Sequence, residues 1–84
     1  MKYGIYSIRD KLVGFGALTL SNSDESAIRN FAYACRSGIS DFASSDFTLY
    51  HVGNFDLEFG VIETLPVPRA VIDGNNAKHY LEVD

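Results

Sequence analysis

In 84 residues the chain has no tryptophan, one cysteine, one methionine and two prolines. Each scarcity excludes something. A lone Cys35 cannot build the disulfide framework that small secreted domains rely on, so a reducing cytosol is the expected compartment. The apolar stretch from Tyr3 to Ile8 is too short for a signal peptide and far short of the ~20 residues a membrane span needs, so no membrane partner is expected. Cations are scarce too: 7 Lys and Arg stand against 11 Asp and Glu, a net charge of −4. Non-specific nucleic-acid binding depends on cations neutralising phosphates, so such a role here requires the few available to gather on one face.

Assembled chemistry is also scarce. Gly14-Phe15-Gly16 lacks the strand-to-helix setting and the third glycine of a dinucleotide fingerprint. Asn54, Asp56 and Glu58 alternate as in a calcium loop, but Phe59 occupies the position where such a loop needs glycine. His51, His79 and Cys35 share no metal-ligand spacing, and no serine sits in G-x-S-x-G or S-x-x-K. His51 and Cys35 read more simply as a satisfied strand histidine and a small buried hydrophobe. The sequence therefore predicts no metal, no cofactor and no enzyme.

What is present is one ordinary globular domain, 46% hydrophobic and 21% charged. Its strongest signal runs from Asp46 to Leu65. Phe47, Leu49, His51 and Gly53 alternate with Thr48, Tyr50 and Val52, the period of a half-buried strand. Residues Asp56 to Gly60 interrupt the pattern and Val61 to Leu65 resume it, which predicts a hairpin with glycine at its close. Upstream, Lys2 to Arg9 and Leu12 to Leu20 predict a first hairpin turning at Asp10-Lys11. Between the hairpins, Asn22 and Glu25 suggest a helix cap, and Gly38 a stop. Ile28, Phe31, Ala32, Cys35 and Ile39 form one apolar stripe.

The order strand, strand, helix, strand, strand predicts an α+β fold of two layers: a four-stranded antiparallel sheet (β-β-α-β-β) with one helix packed across it. Residues 1–65 form this core, because Pro66-Val67-Pro68 is expected to end the last strand. Residues 66–84, with a turn at Asp73-Gly74-Asn75-Asn76, fit either a small extra hairpin or a loosely docked tail. A sheet with one face uncovered predicts a homodimer, meeting face to face or edge to edge.

Two surface features are candidates for function. Arg29, Tyr33 and Arg36 place two cations and a ring on the exposed helix face, and Arg9 and Lys11 lie on the first hairpin. Guanidinium groups for phosphates beside rings for bases are the equipment of single-strand binding. Leu57 and Phe59, apolar in a turn where polar residues are usual, suggest docking against a partner or against the tail.

Asp10-Lys11, then Ala27-x-Arg29-x-Phe31, then Asp46-Phe47-x-Leu49-Tyr50-x-Val52-Gly53-x-Phe55-Asp56-x-x-x-Gly60, over residues 3–65, resembles the small nonstructural protein of microviruses, the gokushovirus branch most closely. The last of these blocks is the most specific. The resemblance implies a DNA-binding protein acting in replication of a circular single-stranded DNA genome within the host cytoplasm. It carries over Arg29 as a phosphate contact, with Lys11 second. The leading expectation is weak single-stranded DNA binding through Arg29, Tyr33, Arg36, Lys11 and Arg9. The alternative is a protein-interaction module that binds a viral or host replication protein through the Leu57 and Phe59 turn and the open sheet face, without touching DNA.

Overall fold

The computed structural model describes residues 1–37 and 45–80. In chain order the elements are β1 (Lys2–Asp10), β2 (Gly14–Ser21), α1 (Asp24–Ser37), β3 (Phe47–Asp56), β4 (Ile62–Asp73) and α2 (Gly74–Tyr80). The strands form one antiparallel sheet in the order β2-β1-β3-β4. This is the predicted α+β sheet with a helix between its hairpins, extended by a second, short helix.

Register sorts the residues into two faces, because paired residues in an antiparallel ladder point the same way. Tyr6 pairs with Thr19 and His51, and Ile8 with Leu49, which pairs with Ile72. These residues face the helices. Tyr6, Leu49, Ala27, Phe31, Ala32, Cys35 and Ala77 form the buried core, with Ile8, Ile28, Phe47, Val71 and Ile72 around it. Most of the predicted helix stripe is therefore core; Ile39 and Gly38 lie outside the described residues.

Three local expectations are corrected. The α1 cap is Ser23, whose Oγ accepts the Ser26 amide at 3.1 Å, and Asn22 lies one residue too early. The first turn spans residues 11–13, so β2 starts at Gly14, whose φ of 106° suits glycine alone. The largest correction is at the prolines, where β4 does not end. Thr64 pairs with Gly53 and Arg69 with His51, so residues 65–68 bulge out opposite the single residue Val52. A bulge on an edge strand asks for no ladder donor, which is where proline fits. The predicted boundary after residue 65 thus falls inside a strand.

Asp73 also departs from expectation. Its carboxylate accepts the Asn76 amide at 2.8 Å and so caps a helix where the sequence predicts a turn. Helix α2 brings Ala77 into the core against α1, so residues 74–80 pack with the same core.

The β3–β4 turn is as the sequence suggests. Asp56 Oδ1 accepts the Glu58 and Phe59 amides at 2.9 and 3.2 Å, and Gly60 takes φ 70°. Those two amide bonds hold the Asp56 carboxyl below its ordinary range.

Candidate functional site

Two constellations of side chains stand out, one on each face of the sheet. On the helix face, a polar chain crosses four elements. Tyr6 donates to Asp24 Oδ1 at 2.5 Å, and Arg69 Nη2 donates to both Asp24 oxygens at 3.1 and 3.0 Å. Arg69 Nη2 also lies 3.0 Å from His51 Nδ1, while His51 Nε2 lies 3.1 Å from Asn54 Oδ1. Arginine has no acceptor, so Nδ1 carries the lone pair and Nε2 the hydrogen. His51 stacks on Tyr6 at 5.0 Å between ring centroids. Each of these residues is bonded to another of the set, so it reads as a clamp between α1, β1, β3 and β4. His51 is thus a satisfied strand histidine. Among the described residues no group of His, Cys, Asp and Glu could hold a metal ion.

The opposite face is different. Ser7 pairs with Leu18 and Tyr50, and Arg9 with Phe15 and Thr48. Farther along, Tyr3 pairs with Phe55, which pairs with Ile62. Among the described residues no helix lies on this side, and Phe15, Leu18, Leu20 and Ile62 are exposed. The Arg9 guanidinium sits over the Phe15 ring, 5.9 Å from its centroid, and the edge of Phe15 meets Tyr50 at 5.2 Å. A cation, a ring and a second ring from three neighbouring strands form one cluster.

Charge on this face is sparse. In the rungs just named the charged residues are Arg9 and, at the far end of the same rung, Asp73, which is turned to its Asn76 partner. Of the acids, Asp24 and Glu25 lie on α1, Asp56 and Glu58 in the β3–β4 turn, and Glu63 is bridged to Lys2 at 2.5 Å, whereas Asp10, next to Arg9 on β1, accepts the Leu12 amide at 2.9 Å.

The residues singled out in the sequence do not converge. Arg29 and Tyr33 are exposed on α1, in the helical layer, whereas Arg9 is on the uncovered face of the sheet. Lys11 is exposed in the β1–β2 turn, its amide bonded to the Asp46 carbonyl at 3.0 Å. The Arg36 side chain lies outside what is described. Leu57 and Phe59 occupy the opposite end of the sheet, where the Leu57 amide bonds the Met1 carbonyl at 3.0 Å. Helix α2 departs from Asp73, which pairs with Thr48 at the far end of β3, so it does not cover that turn. Phe59 stays 73% exposed.

Phe15 and Tyr50 were missed as a pair with Arg9 because nothing local joins them. Only the register of β1 between β2 and β3 does so. The signal available was the first hairpin itself, which sets residue 9 opposite residue 15 once its turn is centred on residue 12.

No helix among the described residues is long and apolar enough to cross a membrane. Compared with known proteins, residues 3–77 match the model of a family described as Phage ORF5 protein. No curated protein and no solved structure matches the chain.

Proposed function

The chain belongs to the phage ORF5 protein family, and from that premise we propose that it is a non-enzymatic phage accessory protein that binds single-stranded DNA through its uncovered sheet face. The observation that carries this reading is the cluster of Arg9 over Phe15 with Tyr50 at its edge. Single-strand binding without sequence readout combines aromatic faces for the bases with cations for the backbone, and an open sheet offers both on a rigid floor. The likeness of the Asp46-to-Gly60 block to the small nonstructural protein of microviruses supports replication of a single-stranded DNA genome as the setting. One arginine and the nearby Lys11 supply few phosphate contacts, so binding is weak and stacking contributes most of it.

Anisotropy of a labelled oligothymidylate, at low and at physiological salt, tests the reading. Phe15→Ala and Tyr50→Ala each remove a stacking surface worth about 1–3 kcal/mol, roughly five-fold to a hundred-fold in affinity. Arg9→Ala lowers the salt slope by about one. Arg29→Ala and Tyr33→Ala, on the other layer, leave binding nearly unchanged. If those two abolish it while Phe15→Ala does not, the helix face is the site. Absence of binding at low salt ends the DNA reading.

A second reading then takes over, carried by the exposure of Phe59 beside Leu57. The turn is a docking point for a viral or host replication protein, and Phe59→Asp abolishes its capture without changing the fold.

A further inference from the structure

The sheet has two edges, and they are built differently. The outer edge of β4 is broken by the bulge at residues 65–68, carries Pro66 and Pro68, and is flanked by Glu63 and Arg69. These are the devices by which proteins keep edge strands from pairing. The edge at β2 has little of this. From Leu12 to Ser23 there is no charged residue and no proline. Every residue from Phe15 to Leu20 is exposed, on both faces of the strand, and Leu18 is 66% exposed. One bulge, between the rungs of Ser7 and Arg9, interrupts the ladder near Gly16; from Leu18 to Ser21 the pairing with β1 is regular.

We propose that β2 pairs with β2 of a second copy of this chain, antiparallel about a two-fold axis at Thr19, which joins two sheets into one. Charge selects this occupant. The chain carries a net −4, so two copies meeting at most other surfaces bring acids together, whereas the neutral span from Leu12 to Ser23 meets itself without repulsion. Face parity selects the axis. Leu18 and Leu20 pair with Ser7 and Ile5 on the uncovered face, and Thr19 pairs with Tyr6 on the helix face. A two-fold at Thr19 sets Leu18 against Leu20 of the second copy, twice over, and Thr19 against its own equivalent, with all faces matched. Like any two-fold interface it is closed and uses up the edge. The pairing does not depend on DNA binding, and it leaves the face with Arg9, Phe15 and Tyr50 open.

Sedimentation of the full chain, with variants at three positions, is the test. The wild-type protein is expected at twice the 9.3 kDa chain mass. Leu18→Lys halves that mass with circular dichroism unchanged, since the side chain is exposed in the single copy. Ile62→Lys, on the same face but at the opposite edge strand, stays dimeric. Thr19→Cys forms a disulfide-linked dimer under mild oxidant, because residues opposed at the axis bring their Cβ atoms within about 4.5–5.5 Å, close enough for small shifts to close the bond. A wild-type monomer at the highest attainable concentration overturns the proposal. Loss of the dimer in both Leu18→Lys and Ile62→Lys also overturns it, in favour of sheets packed face to face.

Discussion

Tyr6 Oη donates a 2.5 Å hydrogen bond to Asp24 Oδ1, tying the central strand β1 to the first turn of α1. The two groups move each other's titration in opposite directions. The hydrogen bond from Tyr6, with Arg69 behind it, holds the Asp24 carboxyl below its ordinary value of 3.8. Burial, and then the bond to Asp24, pushes the Tyr6 phenol well above its ordinary 10.0.

Stability should therefore fall at both ends of the pH scale, for different reasons. Asp24 has a depressed folded pKa, so its contribution is complete above pH 3.8 and is lost as pH falls through the lower folded value. Tyr6 has a raised folded pKa, so its contribution is complete below pH 10.0 and is lost as pH rises toward the higher folded value. In thermal melts across pH, Asp24→Asn flattens the acid limb and Tyr6→Phe the alkaline limb. Asp24 is partly open to solvent, so at neutral pH Tyr6→Phe costs about 1 kcal/mol. Variants that keep both wild-type limbs would show that the clamp adds nothing.

Gly53 sits where β3 and β4 fall out of register, and a Cβ there would lie 2.5 Å from the Glu63 carbonyl oxygen. The obstacle is backbone, so it cannot rotate away. Gly53→Ala should cost about 2–3 kcal/mol in urea unfolding. Gly16→Ala is the comparison, since its Cβ would meet the Ile8 carbonyl at an acceptable 3.4 Å. Equal losses at the two positions would contradict the steric account.

Asp73 ends β4 and caps α2, through the Asn76 amide at 2.8 Å and the Asn76 side chain at 3.0 Å. Helix α2 spans only Gly74–Tyr80, too short to hold itself, so it depends on this cap and on burial of Ala77. Asp73→Ala is expected to cost about 1 kcal/mol. Hydrogen exchange at the Ala77 amide should accelerate more than exchange at Leu49, in the sheet beneath it. Uniform acceleration would mean that α2 opens only with the whole domain.

The sheet and α1 were readable because their information is periodic and local. Alternation from Phe47 to His51 needs one strand to be seen, although the irregularity at Val52 turns Gly53 to the other face, and the stripe of Phe31, Ala32 and Cys35 needs one helix. The errors lie where the neighbour decides. Pro66 and Pro68 end a strand in a regular ladder but not in a bulge opposite Val52, and only the register of β3 reveals the bulge. Asp73-Gly74-Asn75-Asn76 has the composition of a turn, and becomes a helix start because Ala77 finds a place in the core. The cluster of Arg9, Phe15 and Tyr50 is a property of three strands at once, whereas the sequence drew attention to Arg29 and Tyr33 because helical spacing is visible on one element.

The two prolines of β4 lead to a last prediction, which rests on β2 being the edge that pairs. A dimer closed through β2 stays closed only while the other edge is refused to further copies. Pro66 and Pro68 lack amide hydrogens, and together with the bulge they deny that edge a continuous row of donors. Replacing both with threonine restores two donors and raises strand propensity without touching the core, since both positions are exposed. The double variant should keep the wild-type circular dichroism yet scatter light as species larger than a dimer, growing with concentration. Adding Leu18→Lys should reduce these to pairs joined through β4. If the double variant sediments as the wild type does, then the bulge, with Glu63 and Arg69, guards that edge and the prolines serve only to fit it.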